Sequence, residues 1–319
     1  MTNKEKYRIL CEQETSLPVM FQEWWLDCVC GKEKWDVLLI ETKGVIEACM
    51  PVFMPYPKVV SMPAYTLMGI WFNPGLTDIN YARELMRKQK VCEQFLLLLS
   101  ENKSFFQLFH YSFTDWLPFY WAGYRQTTRY TYIIQDIANL DDVWNNFSGE
   151  IKKNISKAQN KYRLTVKRGV SVDDFLSLNE QIFERQGKSP FKPQVLKNLI
   201  NISRSQNAGD VWGAYDEQNQ LHAAQFLVWQ EGCAYCIAGG SSRNFGKTGA
   251  HALVIWEAIR FASAISADFN FMGSMIKGVE YFNRGFGSKQ IPYHAISKGK
   301  LSLFRKVMLK AFDMLISRR

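Results

Sequence analysis

The chain has 319 residues, 47% hydrophobic and 22% charged, with 39 Lys and Arg against 30 Asp and Glu, a formal charge of +9. These are globular values for a chain long enough to bury a substantial core, and they exclude a mostly disordered or collagen-like protein. No apolar run approaches the roughly 18 residues of a membrane span, and Met1-Thr-Asn-Lys-Glu-Lys6 lacks the apolar stretch of a secretory signal. Seven cysteines, odd in number and scattered through apolar stretches, have the pattern of reduced, buried thiols, so a cytoplasmic protein is expected.

The charge is unevenly spread. Residues 1–128 hold 13 basic and 14 acidic residues, a balance of −1, whereas residues 129–319 hold 26 and 16, a balance of +10. Two domains, 1–128 and 129–319, are therefore expected, the second facing an anionic partner: nucleic acid, a phosphorylated substrate or an anionic membrane. Solvated surface charge is the alternative that composition leaves open.

In chain order, residues 18–28 read as a helix, and 35–40 and 45–53 as a hairpin over Lys43-Gly44. Prolines at 51, 55, 57, 63 and 74 then divide the chain into short extended pieces. Residues 80–99 carry apolar side chains at helical spacing. Half of residues 105–124 are aromatic, a strand and a short helical turn closed by Gly123, and such bulk points to core. From Arg129 the order becomes strand (129–136), helix (154–162), strand (164–168), helices (172–186 and 195–205), three strands (211–215, 221–229, 233–238), helix (250–265), strand (268–272), short helix (279–284) and strand (291–296). Such an order is α+β, with an antiparallel meander and one late crossover.

The most informative stretch runs from Cys233 to Ala250: a strand, the loop Gly239-Gly-Ser-Ser-Arg-Asn-Phe-Gly-Lys-Thr-Gly249, then a helix. Glycines let backbone approach an anion, a helix N-terminus favours one, and Arg243 and Lys247 add charge. A phosphate or pyrophosphate is the natural ligand. Gly246-Lys247-Thr248 is not a P-loop, because the first glycine of that motif would fall on Ser241. Upstream, Lys153, Lys157 and Lys161 recur at i, i+4, i+8 as one positive edge, inside a group of seven basic residues within residues 152–168. Cys233-x-x-Cys236 would point to opposite faces of a strand and has no second pair, so no metal is expected. The four histidines are dispersed. Residues 301–319 are amphipathic and basic, suited to docking on the protein itself or on an anionic membrane.

Arg243-Asn-Phe-Gly246 resembles the acyl-CoA loop of the GNAT acyltransferases, although the next small residue stands at Gly249, one position late. Tyr281, four residues before Gly285-Phe286, is similar to that family's tyrosine, which protonates the departing thiolate; a phenol of pKa near 10 is a proton donor at neutral pH. Trp24-Trp25-Leu26-Asp27, Gly123-Tyr-Arg125, Ile151-Lys-Lys-Asn-Ile-Ser-Lys-Ala158, residues 268–274 and Phe282-Asn-Arg-Gly-Phe-Gly287 together resemble the FemAB-like branch. That resemblance implies two tandem GNAT-like domains, each a mostly antiparallel mixed sheet flanked by helices. It implies an N-acyltransferase or aminoacyltransferase using acyl-CoA (acetyl-CoA) or aminoacyl-tRNA, with an amine acceptor such as a peptidoglycan or other envelope precursor. Residues 171–209 lack sustained heptads, so the coiled-coil arm frequent among tRNA-dependent members is not expected. In this reading a backbone N–H around Ile237 and Gly239 polarises the carbonyl. Arg243, Gly246, Lys247 and Gly249 hold donor phosphates, Lys153, Lys157 and Lys161 help bind substrate, and Tyr281 is the acid. The competing class is a non-catalytic GNAT-fold module that binds an anionic nucleotide, lipid or nucleic acid.

Overall fold

The computed structural model describes residues 1–78, 80–184, 192–273 and 275–299; the amphipathic 301–319 segment lies outside them. The described residues divide into two compact units, Met1–Arg129 with residues 292–299, and Tyr130–Ile291. Residues 292–299 thus go with the first unit.

The first unit opens with α1 (Asn3–Gln13), set by a capping box in which the Thr2 hydroxyl accepts from the Glu5 N–H and the Glu5 carboxylate accepts from the Thr2 N–H. The segment read as one helix from residue 18 is a 3₁₀ turn (Val19–Phe21) and α2 (Glu23–Cys30), because extended Gln22 separates them. β1 (Trp35–Thr42) and β2 (Val45–Tyr56) form the hairpin, with Lys43 and Gly44 both at positive φ. This is the two-residue turn that matches the strand twist. β3 (Val59–Ser61) pairs with β2, β4 (Trp71–Phe72) pairs with β2 as well, and after α3 (Tyr81–Leu98) comes β5 (Ser104–Leu108), parallel to β3. α4 (Leu117–Trp121) follows. Most of the aromatic run is core: Phe105, Phe109, Phe113, Phe119 and Tyr124 are buried in edge-to-face contacts.

β6 (Arg125–Ile134) leads into the second unit, followed by α5 (Leu140–Asn145), α6 (Gly149–Ser156), a π-helical turn (Lys157–Lys161), β7 (Thr165–Arg168), α7 (Val172–Glu184) and α8 (Pro193–Ser205). β8 (Gly209–Tyr215), β9 (Leu221–Trp229) and β10 (Cys233–Ser241) make the meander. α9 (Ala250–Ala262), β11 (Asp268–Asn270), α10 (Lys277–Arg284) and β12 (Lys289–Lys298) complete the order. The sheet of this unit runs β6-β11-β10-β9-β8-β7, antiparallel except for β10 and β11. α9 covers the face bearing Trp212, Ala223, Leu227 and Ala234. The end of β12 returns to pair Ala295–Lys298 with β5 in the first unit.

Candidate functional site

The centre of the second unit is a fork between parallel strands. β10 and β11 pair only through Cys233/Asp268, Ala234/Phe269 and Tyr235/Asn270; β10 then runs on to Ser241 past its last partner on β11. Two local devices open the fork. On β10, Ile237 is the extra residue of a bulge, because Cys236 and Ala238 face consecutive residues of β9, Leu227 and Phe226. A bulge bends its strand and increases its twist. On the other side the chain leaves β11 through Met272 and Gly273, both at positive φ. A Cβ on Gly273 would fall within contact distance of the Tyr130 carbonyl, so only glycine lets the turn lie this close to β6.

Asn270 directs that turn. Its Oδ1 accepts from the Met272 N–H (2.7 Å) and from the Thr131 hydroxyl (2.6 Å), which fixes which end of the amide is oxygen. The Nδ2 group is buried and has no partner among the described residues. An orphaned buried donor costs about 1–3 kcal/mol, so a carbonyl brought to it would be favoured.

Gln225 on β9 crosses Gly239. Its Nε2 donates to the carbonyls of Ala238 and Phe226, both at 3.0 Å, and its Oε1 lies 3.2 Å from His251 Nε2. The amide orientation therefore makes His251 Nε2 the protonated nitrogen. A Cβ on Gly239 would lie 2.5 Å from both the Ala224 carbonyl and Gln225 Oε1, so the glycine is there to admit the glutamine. His251, in the first turn of α9, stacks on Phe282 of α10 at 5.1 Å.

The glycine loop, residues 242–249, joins β10 to α9. Ser242 donates its hydroxyl to Gln181 and its N–H to the His222 carbonyl, and Phe245 stacks on the His222 ring at 3.8 Å. Arg243, Gly246 and Lys247 are exposed on this anchored loop, and Thr248 is buried beneath it. Gly249, the N-cap of α9 at φ +83°, brings no capping side chain. A Cβ there would lie 2.8 Å from the Asn154 carbonyl carbon and closer still to its oxygen. Gly249 thus serves packing, since its missing side chain lets α6 touch the loop.

That contact brings one predicted lysine to the loop. Lys157 donates its ammonium to the Lys247 carbonyl at 2.5 Å, so Lys157 and the loop form one basic surface. The π turn starts at Lys157, and its wider winding breaks the regular i, i+4, i+8 edge. Lys157 and Lys161 instead converge on Tyr162, 5.6 and 5.7 Å from its ring, while Lys153 stays exposed on α6. The seven-residue basic group does not gather as one cradle: Lys152 is tied to the Asn145 carbonyl, Arg163 to Glu217, Lys167 to Asn219 and Arg168 to Asp210.

Tyr281 is 53% exposed, with its hydroxyl donating to Glu150 at 3.0 Å on the first turn of α6. Glu280 beside it is paired with Arg284. Among the described residues no group of His, Cys, Asp and Glu could hold a metal ion.

Residues 145–282, within the second unit, match the family described as the acetyltransferase (GNAT) domain. The chain superposes on the crystal structure of FemX with a TM-score of 0.67 at 12% identity, covering 92% of this chain and 96% of that one. The chain has the FemAB-like tandem GNAT fold. A C-terminal domain from Agrobacterium fabrum, described as that of a putative lysylphosphatidylglycerol synthetase, superposes with a TM-score of 0.60 at 11% identity over 97% and 96% of the two chains. A tandem GNAT protein from the clavulanic acid biosynthesis pathway gives 0.50 at 9% over 84% of each. No curated protein matches the sequence at a significant level. The β10–β11 fork and the 242–249 loop both lie within the matched residues. Gln225, which no motif marked, and Asn270, which lies in the 268–274 stretch but has no assigned role there, stand at this fork; the signal of each in sequence is a buried polar amide among apolar neighbours.

Proposed function

We propose that the chain transfers an acyl or aminoacyl group from a phosphate-bearing donor to an amine acceptor. One observation carries this reading: a strand bulged at Ile237 outruns its parallel neighbour and delivers the chain into a loop that bears exposed Arg243 and Lys247 and whose Lys247 carbonyl captures Lys157. The loop and lysines would hold phosphates, leaving the donor's carbonyl in the fork. There the backbone N–H groups around Ile237 and Gly239, with Asn270 Nδ2, would donate to the oxygen that becomes negative as the amine attacks. A neutral amine needs position and a polarised carbonyl, not a nucleophilic side chain. Tyr281 is retained as the proton donor, its hydroxyl held by Glu150 until the leaving group arrives.

Acyl-CoA is the first donor class, as the family's description suggests. Aminoacyl-tRNA is the second, favoured by exposed Lys153 and Lys161, which extend the basic surface beyond what a pyrophosphate needs. A peptidoglycan or lipid-linked envelope precursor is the acceptor class, by fold analogy with FemX and the lysylphosphatidylglycerol synthetase domain. Seven cysteines in no disulfide fit a reducing compartment, and we place the reaction in the cytoplasm.

Native mass spectrometry of the intact protein with acetyl-CoA and with aminoacyl-tRNA tests the proposal. The expected result is a complex with one of them that Arg243→Ala/Lys247→Ala weakens at least tenfold, with turnover of the same donor when amine is added. Unchanged binding and turnover in the double variant would overturn the loop assignment. Binding without turnover for any amine would leave a GNAT-fold binding module.

A further inference from the structure

α4 carries an apolar face that the described residues of the first unit leave exposed. Pro118 and Phe119 are buried, Phe119 against Phe105, Phe109 and Tyr124, so the helix cannot roll. Leu117, Tyr120 and Trp121 are 44%, 58% and 60% exposed. Their spacing is i, i+3, i+4, which puts them on one face. Single exposed hydrophobic residues are ordinary, but a Leu, a Tyr and a Trp together on a fixed helix face are not. Tyr120 is further held by the edge of Trp116, at 5.5 Å.

The border of this face is basic. Lys298 donates to the Ala122 carbonyl at 2.9 Å and lies over the Tyr124 ring, and Arg125 is exposed four residues past Trp121. The nearby carboxylate, Asp115, is occupied by the Gln89 amide and the Leu117 N–H. Tryptophan and tyrosine suit the boundary between lipid headgroups and acyl chains, where the ring is apolar and its N–H or O–H stays wet. Arginine and lysine beside them complement anionic headgroups.

We infer that α4 is a membrane-surface anchor. It lays Leu117, Tyr120 and Trp121 into the headgroup region of an anionic bilayer, with Arg125 and Lys298 on the lipid phosphates. The anchor stands independently of the acyl-transfer reading, since none of its residues belongs to the second unit.

The test is co-sedimentation of the full chain with phosphatidylcholine vesicles and with vesicles containing phosphatidylglycerol. Wild type is expected to sediment with the anionic vesicles only, and Leu117→Ser/Tyr120→Ser/Trp121→Ser to lose at least tenfold in partitioning while keeping its unfolding midpoint. Arg125→Glu is expected to weaken binding in low salt. A Tyr120→Cys variant carrying an environment-sensitive dye should shift to the blue on anionic vesicles. Failure of the wild type to sediment would overturn the anchor, as would equal sedimentation of the triple variant. So would a dye already blue-shifted without lipid and unchanged by it, which would mean that the 301–319 segment or a second copy covers α4.

Discussion

Replacing Gly249 by alanine separates packing from anion binding at the loop. Two costs combine. The backbone sits at φ +83°, where an L-residue is disfavoured by about 1–2 kcal/mol. The new Cβ would also stand 2.8 Å from the Asn154 carbonyl carbon, against the 3.4 Å or more of ordinary contact, and its obstacle is backbone that cannot rotate aside. Overpacking of this kind costs about 1–3 kcal/mol. Gly246→Ala is the matched control, because Gly246 also has positive φ, at +60°, but an added Cβ there meets nothing within 4 Å among the described residues. Gly246→Ala therefore bears only the conformational cost, and the two variants should differ by about 1–3 kcal/mol, or roughly 3–9 °C in melting temperature for a unit of this size. Urea unfolding and thermal melts of both variants read the difference. Equal destabilisation would refute the close approach of the loop to α6, and with it the reasoning that brings Lys157 to Lys247.

Asn270→Asp keeps the oxygen that holds Met272 and Thr131 but removes the orphan donor, so donor binding should weaken at least tenfold with native circular dichroism retained; equal affinity would exclude the amide as a carbonyl contact. Burial pushes the His110 pKa down to about 3. The unfolded chain takes up this proton below about pH 6.5, whereas the native chain does not until about 3, so stability should fall as pH drops through that window. His110→Gln should flatten the decline in urea midpoint between those limits, and an unchanged slope would reject the argument. Burial likewise raises the Cys28 thiol to about 11 and Cys11 and Cys92 to about 12. A thiol of pKa 11 is about 0.1% thiolate at pH 8, so Ellman's reagent should titrate native protein slowly and all seven thiols after denaturation. Rapid native reaction of more than one thiol would contradict the burial.

Much of the fold is legible because apolar period and turn chemistry agree locally. The Lys43-Gly44 hairpin, the long α3 and the β8–β9–β10 meander are all expected from their residues. The α1 helix has its signal too, the Thr2-x-x-Glu5 box, but its polar surroundings give no strong apolar period. Residues 18–28 do not form one helix, because nothing in their apolar pattern reveals that Gln22 is extended. At the site, glycines and charges are visible as residue types, while what each one does is not. Gly246 and Gly249 read alike in the loop, yet one faces open space and the other the backbone of α6. Lys153, Lys157 and Lys161 read as equivalent, yet a π turn gives only Lys157 to the loop carbonyl.

Composition, charge and spacing by themselves determined that this is an α+β chain whose basic part holds a glycine loop at a helix N-terminus, since each follows from contacts a few residues apart. Tertiary structure alone decided where β10 and β11 part, that Gln225 and Asn270 stand at that fork, and that Tyr281 meets Glu150. It also divided the aromatic run, sending Phe119 inward and Tyr120 and Trp121 out to solvent. These are pairings between residues distant in sequence, fixed by sheet register and close backbone approach, and no local pattern encodes them.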